Sequence, residues 1–275
     1  MKQLVIPFFY IFIFSVQPLL GQSKKDRIIE NKFIIYSNIL NENRTCLISL
    51  PETYNDTSNT NKQYPLLILL DGYAFFKTAA GIIHFMSSDR NRNYFMPETI
   101  IVAIENVDRE RDFTVTKLKT KRVNTMGGGK KFLTFIEKEL ISYVDENYRT
   151  KPYRTLVGHS LGGLLTLNSY IDKSSIFDAY LSIDPSIWWD EDKMINKVDS
   201  ISPISFKKKI YISTANQVKT RYERNKKKHD RMYTLIKIKS NEKAEIKVKT
   251  YNNDNHRSVP LIALYDGLIY LNQEN

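Results

Sequence analysis

One cysteine, Cys46, stands in 275 residues, so no internal disulfide can brace the chain and its stability has to come from a buried core. Its setting in "TCLISL" makes Cys46 a small buried hydrophobe and an improbable nucleophile. No H-E-x-x-H pattern and no zinc-finger spacing occurs, so nothing in the chain calls for a metal or another cofactor. Aromatic-interleaved basic motifs are missing too, which argues against nucleic acid as a partner. Internal repeats and domain linkers are absent. The apolar run at the start, Leu4 to Val16, falls short of the ~20 residues that a membrane-spanning helix needs.

That run has another reading. A basic start at Lys2, the apolar stretch and small residues around Gly21 have the layout of a secretory signal peptide. Residues 1–21 are therefore expected to be a cleaved leader, giving an exported (periplasmic or secreted) protein with no integral membrane span after cleavage. No cysteine lies beside the cleavage region, so nothing suggests a lipoprotein. Residues 22–275 are expected to form one domain, which this length accommodates.

Charge is abundant and one-sided. The formal net charge is +11, with clusters at Lys207–Lys209, Arg224–Lys228 and Lys117–Arg122. Solvated surface is the plainest reading, and attraction to an anionic ligand or membrane surface is the other.

Beyond the leader, apolar segments alternate between two periods. "RTCLISLP", "YPLLILLD", "TIIVAIEN", "RTLVG", "AYLSI", "KKIYIST" and "EIKVKTY" read as strands. Between them, "YAFFKTAAGIIHFMSS", "SLGGLLTLNSYI", "DRMYTLIKIKS" and "VPLIALYDGLIYL" read as helices, with a short tryptophan-containing helix after "AYLSI". "KKFLTFIEKELISYVDENY" places Phe132, Phe135, Ile136, Leu140, Ile141 and Val144 on one helical face. Such alternation predicts an α/β fold, a mostly parallel sheet with helices on both faces. The irregular piece "NVDRERDFTVTKLKTKRVNTMGGGK" is long enough to be functional or mobile.

Within that pattern "TLVGHSLGGLLTL" puts Ser160 between Gly158 and Gly162, at a strand-to-helix junction. G-x-S-x-G alone is weak, but at such a junction it predicts a nucleophile elbow, with the helix N-terminus behind the serine suited to a developing oxyanion. A serine hydroxyl needs a base. Among the four histidines, His159 is expected to point away from the serine, His84 lies on an apolar helical face, and His229 sits in a lysine cluster. His256, in "YNNDNHRSVP" between the last strand and the last helix, stands where a hydrolase base belongs. The backbone N–H groups of Gly72 or Tyr73, after "LLILLD", and of Leu161 are expected to form the oxyanion hole.

An acid is what the chain lacks where the fold would put it. After "KKIYIST" comes "ANQVKTRYERNKKKHD", with no carboxylate close behind the strand. Glu223, Asp230, Asp184 and Asp254 stay open as candidates. So does a serine–histidine dyad, with His256 oriented by a carbonyl, Asn216 or Gln217, and the dyad is the favoured reading. It predicts that no single one of these carboxylates is indispensable.

From about Lys32 to Leu271 the chain resembles an esterase family of the α/β-hydrolases, the one that includes esterase D, ferric-siderophore esterases and the antigen 85 mycolyltransferases. The resemblance rests on "LLDGYAFF", "IENVDRERDFT", "GGGKKFLTFIEKELISYVDENYRTKPYRTLVGHSLGGLLTL", "IDPSIWWD" and "DNHRSVPLIALYDGL". It implies an α/β-hydrolase fold, Ser160 as nucleophile and His256 as base. It also implies Trp188 and Trp189 near the substrate, and Arg109 and Arg111 near the site, unless these arginines pair with Asp108 or Asp112. Gln217 stands where relatives often carry a glutamate. The implied activity is that of a serine esterase acting on a small-molecule ester, with a siderophore or carbohydrate acyl ester among the options. A hydrolase-fold binding protein that has lost catalysis, motivated by the missing acid, and an acyltransferase are the alternatives.

Overall fold

The computed structural model describes residues 29–89, 92–172, 174–216 and 219–273. The expected leader, residues 1–21, and Gln217 lie outside these. Eight strands form one sheet in the order β1-β2-β4-β3-β5-β6-β7-β8. They are β1 (Ile29–Ser37), β2 (Glu42–Leu50), β3 (Tyr64–Leu69), β4 (Ile100–Ile104), β5 (Thr150–His159), β6 (Ala179–Ile183), β7 (Lys209–Ala215) and β8 (Ile246–Tyr251). From β4 to β8 across the sheet every pairing is parallel. β1 and β2 form an antiparallel hairpin, and β2 joins β4 antiparallel. This is the α/β-hydrolase fold.

Both faces of the sheet are covered because alternate residues of each strand feed different cores. Leu66, Ile68 and Leu70 of the β3 region and Ile100, Val102 and Ile104 of β4 enter one cluster. Leu67, Leu69, Ile101 and Ala103 enter the other. The first core takes most of its helical side chains from α3 (Gly129–Phe135), α4 (Ile141–Asn147), α5 (Leu161–Ile171), α6 (Lys193–Asp199) and α7 (Lys219–Ile238). α1 (Gly72–Ser87) and α8 (Val259–Asn272) close the second. Strands buried on both faces need apolar residues at every position, which is why β3 and β4 read as continuous apolar runs.

The predicted helix over 130–148 is divided. A π-helical turn, Ile136–Leu140, separates α3 from α4, yet all six residues of its apolar stripe are buried. Cys46 is fully buried, and burial pushes its thiol up to about 12, so it carries no thiolate at neutral pH. Two expectations are corrected. Trp188 and Trp189 lie in consecutive turns, not in a helix; the helix that follows starts only at Lys193. The long segment after β4 contains a short helix, α2 (Arg109–Phe113), capped by the Asp108 carboxylate accepting from the Arg111 N–H.

Candidate active site

Strands β3, β5, β6 and β7 are parallel neighbours, so their carboxyl ends lie side by side, where ligands of open α/β sheets collect. Ser160 follows β5 directly, with φ 59° and ψ −115°. This conformation is costly for a residue with a side chain and persists only where its surroundings impose it. Imposition is visible in the backbone. The Ser160 N–H donates to the Ile183 carbonyl (3.0 Å), and its carbonyl accepts from Leu164 and Ser186 N–H groups (2.9 and 3.0 Å). A Cβ at Gly158 would stand 2.3 Å from the Gly162 carbonyl oxygen, so no side chain fits there. Gly162 is not constrained in this way, since its Cβ would meet only ordinary contacts at 3.4 Å or more.

His256 lies in the turn between β8 and α8, and its Nε2 is 3.0 Å from Ser160 Oγ. Its Nδ1 is 2.5 Å from Oδ2 of Asp184. This corrects the dyad expectation. Asp184 is the first residue after β6, one strand earlier than the position where the sequence lacks a carboxylate. β6 and β7 are adjacent and in register, Ile183 beside Ser213. Moving the acid one strand over therefore keeps it within reach of the histidine. Its φ of 39° is left-handed backbone, and the Ala215 N–H at the end of β7 donates to Oδ1 (3.0 Å). Burial raises the Asp184 pKa, but hydrogen bonds from His256 and Ala215 and the nearby histidines outweigh it, so the carboxyl titrates below its ordinary range. The buried carboxylate is thus ionised and holds Nδ1 as the protonated nitrogen, leaving Nε2 bare to receive the Ser160 proton.

The other three acid candidates are not brought to the histidine. Asp230 pairs with Lys226 on α7 (2.5 Å). Glu223 is exposed on the same helix. Asp254 accepts from Ser258 Oγ (2.8 Å). Asn216 also has other work: its side chain donates to the Asn252 carbonyl (2.7 Å).

The expected oxyanion donors sit at two helix starts. Gly72 and Tyr73 open α1, and Leu161 opens α5; first-turn N–H groups have no partner within their own helix. The two turns touch, as Gly162 lies against Asp71 and Leu70. Gly72 packs so closely on β4 that a Cβ would come 2.9 Å from the Ile104 backbone. Arg109 joins both turns. It makes two bonds to the Asp71 carboxylate (2.7 and 2.9 Å) and reaches the His159 carbonyl (3.3 Å). Its partner is therefore Asp71, not Asp108 or Asp112. Arg111 is committed to Glu42 (2.5 and 3.0 Å) and Asp112 (2.7 Å), beside a buried Arg44–Asp112 pair. Trp188 is exposed, and Trp189 packs against the core.

Sequence reasoning missed two supporting histidines. The Nε2 of His159 meets the His256 carbonyl (2.9 Å), and its ring lies 4.5 Å from that of His256. His229, placed in a charged cluster by its neighbours, is fully buried. Its Nε2 meets the Pro185 carbonyl (2.9 Å), one residue past Asp184. Carbonyls only accept, so each ring carries its proton on Nε2 and pins the backbone beside one member of the Ser–His–Asp set. For His229 the only sequence signal is helical spacing on α7 with Met232, Tyr233 and Ile236, all buried.

Burial, then the His256 charge, lowers His159 from 6.5 to about 4 against the pull of Asp184 and Asp71. Burial lowers His229 too. Between about 6.5 and 4 the unfolded chain then binds more protons than the folded one, so stability is complete above this window and falls as pH drops through it. Thermal melts across that range should show Tm falling with pH, and His159→Gln should flatten the fall. An unchanged slope in that variant would assign the loss elsewhere.

A family model described as "Putative esterase" matches residues 37–259. Ferri-bacillibactin esterase BesA of Bacillus subtilis is 30% identical over 176 residues, 58% of this chain and 60% of that one. The siderophore triacetylfusarinine C esterase of Aspergillus fumigatus is 30% identical over 151 residues, 52% of this chain and 51% of that one. The chain thus spans between half and two thirds of these relatives. Among solved structures, an IroE-like serine hydrolase from Shewanella oneidensis superposes with a TM-score of 0.78 at 30% identity, covering 89% of this chain and 80% of the other.

Proposed function

The chain belongs to the esterase family whose model it matches, and on that premise we propose that it is a serine carboxylester hydrolase with Ser160, His256 and Asp184 as its triad. The observation that carries this reading is the unbroken line Asp184 Oδ2–His256 Nδ1 (2.5 Å) and His256 Nε2–Ser160 Oγ (3.0 Å). Ser160 Oγ attacks the ester carbonyl while its proton passes to His256 Nε2. Negative charge gathers on the carbonyl oxygen, and the N–H groups of Leu161 and of Gly72 or Tyr73 stabilise it. His256 then gives its proton to the leaving alcohol, and water repeats the sequence to release the acid. Asp184 holds the imidazole in its tautomer and balances the imidazolium.

A siderophore-type ester is the proposed substrate class. Both curated relatives described above are named for siderophore ester cleavage, and the net charge of +11 favours an anionic ferric chelate over a neutral ester at the encounter stage. Export follows from the leader-like N-terminus; among the described residues no helix is long and apolar enough to cross a membrane. The mature protein should take up one fluorophosphonate per chain at Ser160, read by peptide mass spectrometry. It should also hydrolyse a ferric-catecholate trilactone faster than acetylated or feruloylated sugars. No adduct on the folded protein would reject the serine mechanism, and a sugar ester as best substrate would reject the siderophore class.

A further inference from the structure

A second hydroxyl touches the proposed nucleophile. Ser186 Oγ lies 3.2 Å from Ser160 Oγ, and Ser186 is 4% exposed. Its backbone fixes it there: the Ser186 N–H donates to the Ser160 carbonyl (3.0 Å), and the preceding Pro185 carbonyl is held by His229. Among the described residues the Ser186 hydroxyl has no other side-chain partner.

The direction of this bond follows from the triad. Asp184 keeps the His256 proton on Nδ1, so Nε2 is an acceptor and takes the Ser160 proton. Ser160 has one proton, and it is committed. The contact between the two serines is therefore made by the proton of Ser186, with Ser160 Oγ accepting.

We propose that Ser186 is a further catalytic residue, one that donates to Ser160 Oγ and speeds release of the acyl group. The proposal rests on the serine-hydrolase reading above. In the acyl-enzyme Ser160 Oγ is the alkyl oxygen of an ester, whose lone pair is shared with the carbonyl, and it accepts poorly. During deacylation water adds to the acyl carbonyl and loses a proton to His256. The bond from the carbonyl carbon to Ser160 Oγ then breaks, and His256 returns the proton to Oγ. Charge grows on Oγ as that bond breaks, so the Ser186 hydrogen bond strengthens on the way to the transition state. Ser186 keeps its own proton throughout. An interaction stronger in the transition state than in the preceding ground state accelerates that step. Acylation gains nothing comparable, because the free enzyme already makes the bond.

Ser186→Ala tests this with a p-nitrophenyl ester. Stopped-flow absorbance gives acylation as kcat/KM, and rapid-quench mass spectrometry follows decay of the acyl group on Ser160. Deacylation should slow about 5-fold, the scale of one neutral hydrogen bond, while kcat/KM changes by less than about 2-fold. Ser186→Thr, which keeps the hydroxyl, should restore the decay rate. Equal losses in both steps, no loss in either, or no recovery with threonine would overturn the role. Should the alanine protein fail to fold, Ser186→Cys, a weaker donor of similar size, should show the same slower decay. The underlying reading fails separately: it falls if the wild-type protein forms no acyl adduct on Ser160.

Discussion

Ser160→Ala and His256→Ala should each lower kcat for a good ester substrate by ~10⁶-fold, and the double variant should be no worse than either alone. The reason is that the two side chains perform one act. Without His256 the Ser160 hydroxyl keeps its proton and stays a poor nucleophile; without Ser160 the imidazole has only water to activate. Residual turnover should persist above the uncatalysed rate, because the N–H groups at the starts of α1 and α5 are backbone and survive both changes. Steady-state kinetics on the three variants, with circular dichroism to show native folding, measures this. Multiplicative losses in the double variant would mean that the residues act independently, which the 3.0 Å contact between them argues against.

Asp184→Asn should lower kcat by ~10⁴-fold with little change in fold. The bond from the Ala215 N–H to Oδ1 makes the case unusually strong. In the variant that N–H selects the amide oxygen as its partner, which turns the amide NH2 toward His256 Nδ1. A donor facing Nδ1 forces the imidazole proton onto Nε2, and a protonated Nε2 cannot take the proton of Ser160. Asp254→Asn, Asp230→Asn and Glu223→Gln should each stay within about 3-fold of wild type, as Asp254 and Asp230 pair with Ser258 and Lys226 and Glu223 is exposed. Kinetics of the four variants decide between a triad and a dyad. An Asp184→Asn protein with more than about a hundredth of wild-type kcat would restore the dyad.

Much of this protein is determined by local sequence. Apolar runs such as "YPLLILL" are short and suit strands buried on both faces, and their alternation with segments of helical spacing predicts α/β layering. G-H-S-L-G is equally local. The clash of a Gly158 Cβ with the Gly162 carbonyl occurs within five residues of chain, so its glycine and its serine are visible without a structure. His256 is legible for a similar reason, since the turn between the last strand and the last helix faces the carboxyl ends of the sheet.

What tertiary structure alone decided is which partners meet across the sheet. β1 was missed because "IENKFIIYS" mixes polar and apolar residues on an edge hairpin with one exposed face, and no buried run announces it. Asp184 was one carboxylate among four candidates. Nothing near it in sequence reveals that β6 and β7 are paired in register, or that the Ala215 N–H and His256 Nδ1 converge on it from residues 31 and 72 positions away. Likewise the Arg109–Asp71 clamp, the two supporting histidines and the Ser186 hydroxyl join elements distant in the chain. A hydrogen bond a few ångströms long leaves no periodicity behind, whereas a buried face repeats at every second or fourth residue. The repeating burial pattern therefore wrote the fold into the sequence, and the unrepeated polar contacts that set the proton positions exist only once the sheet has formed.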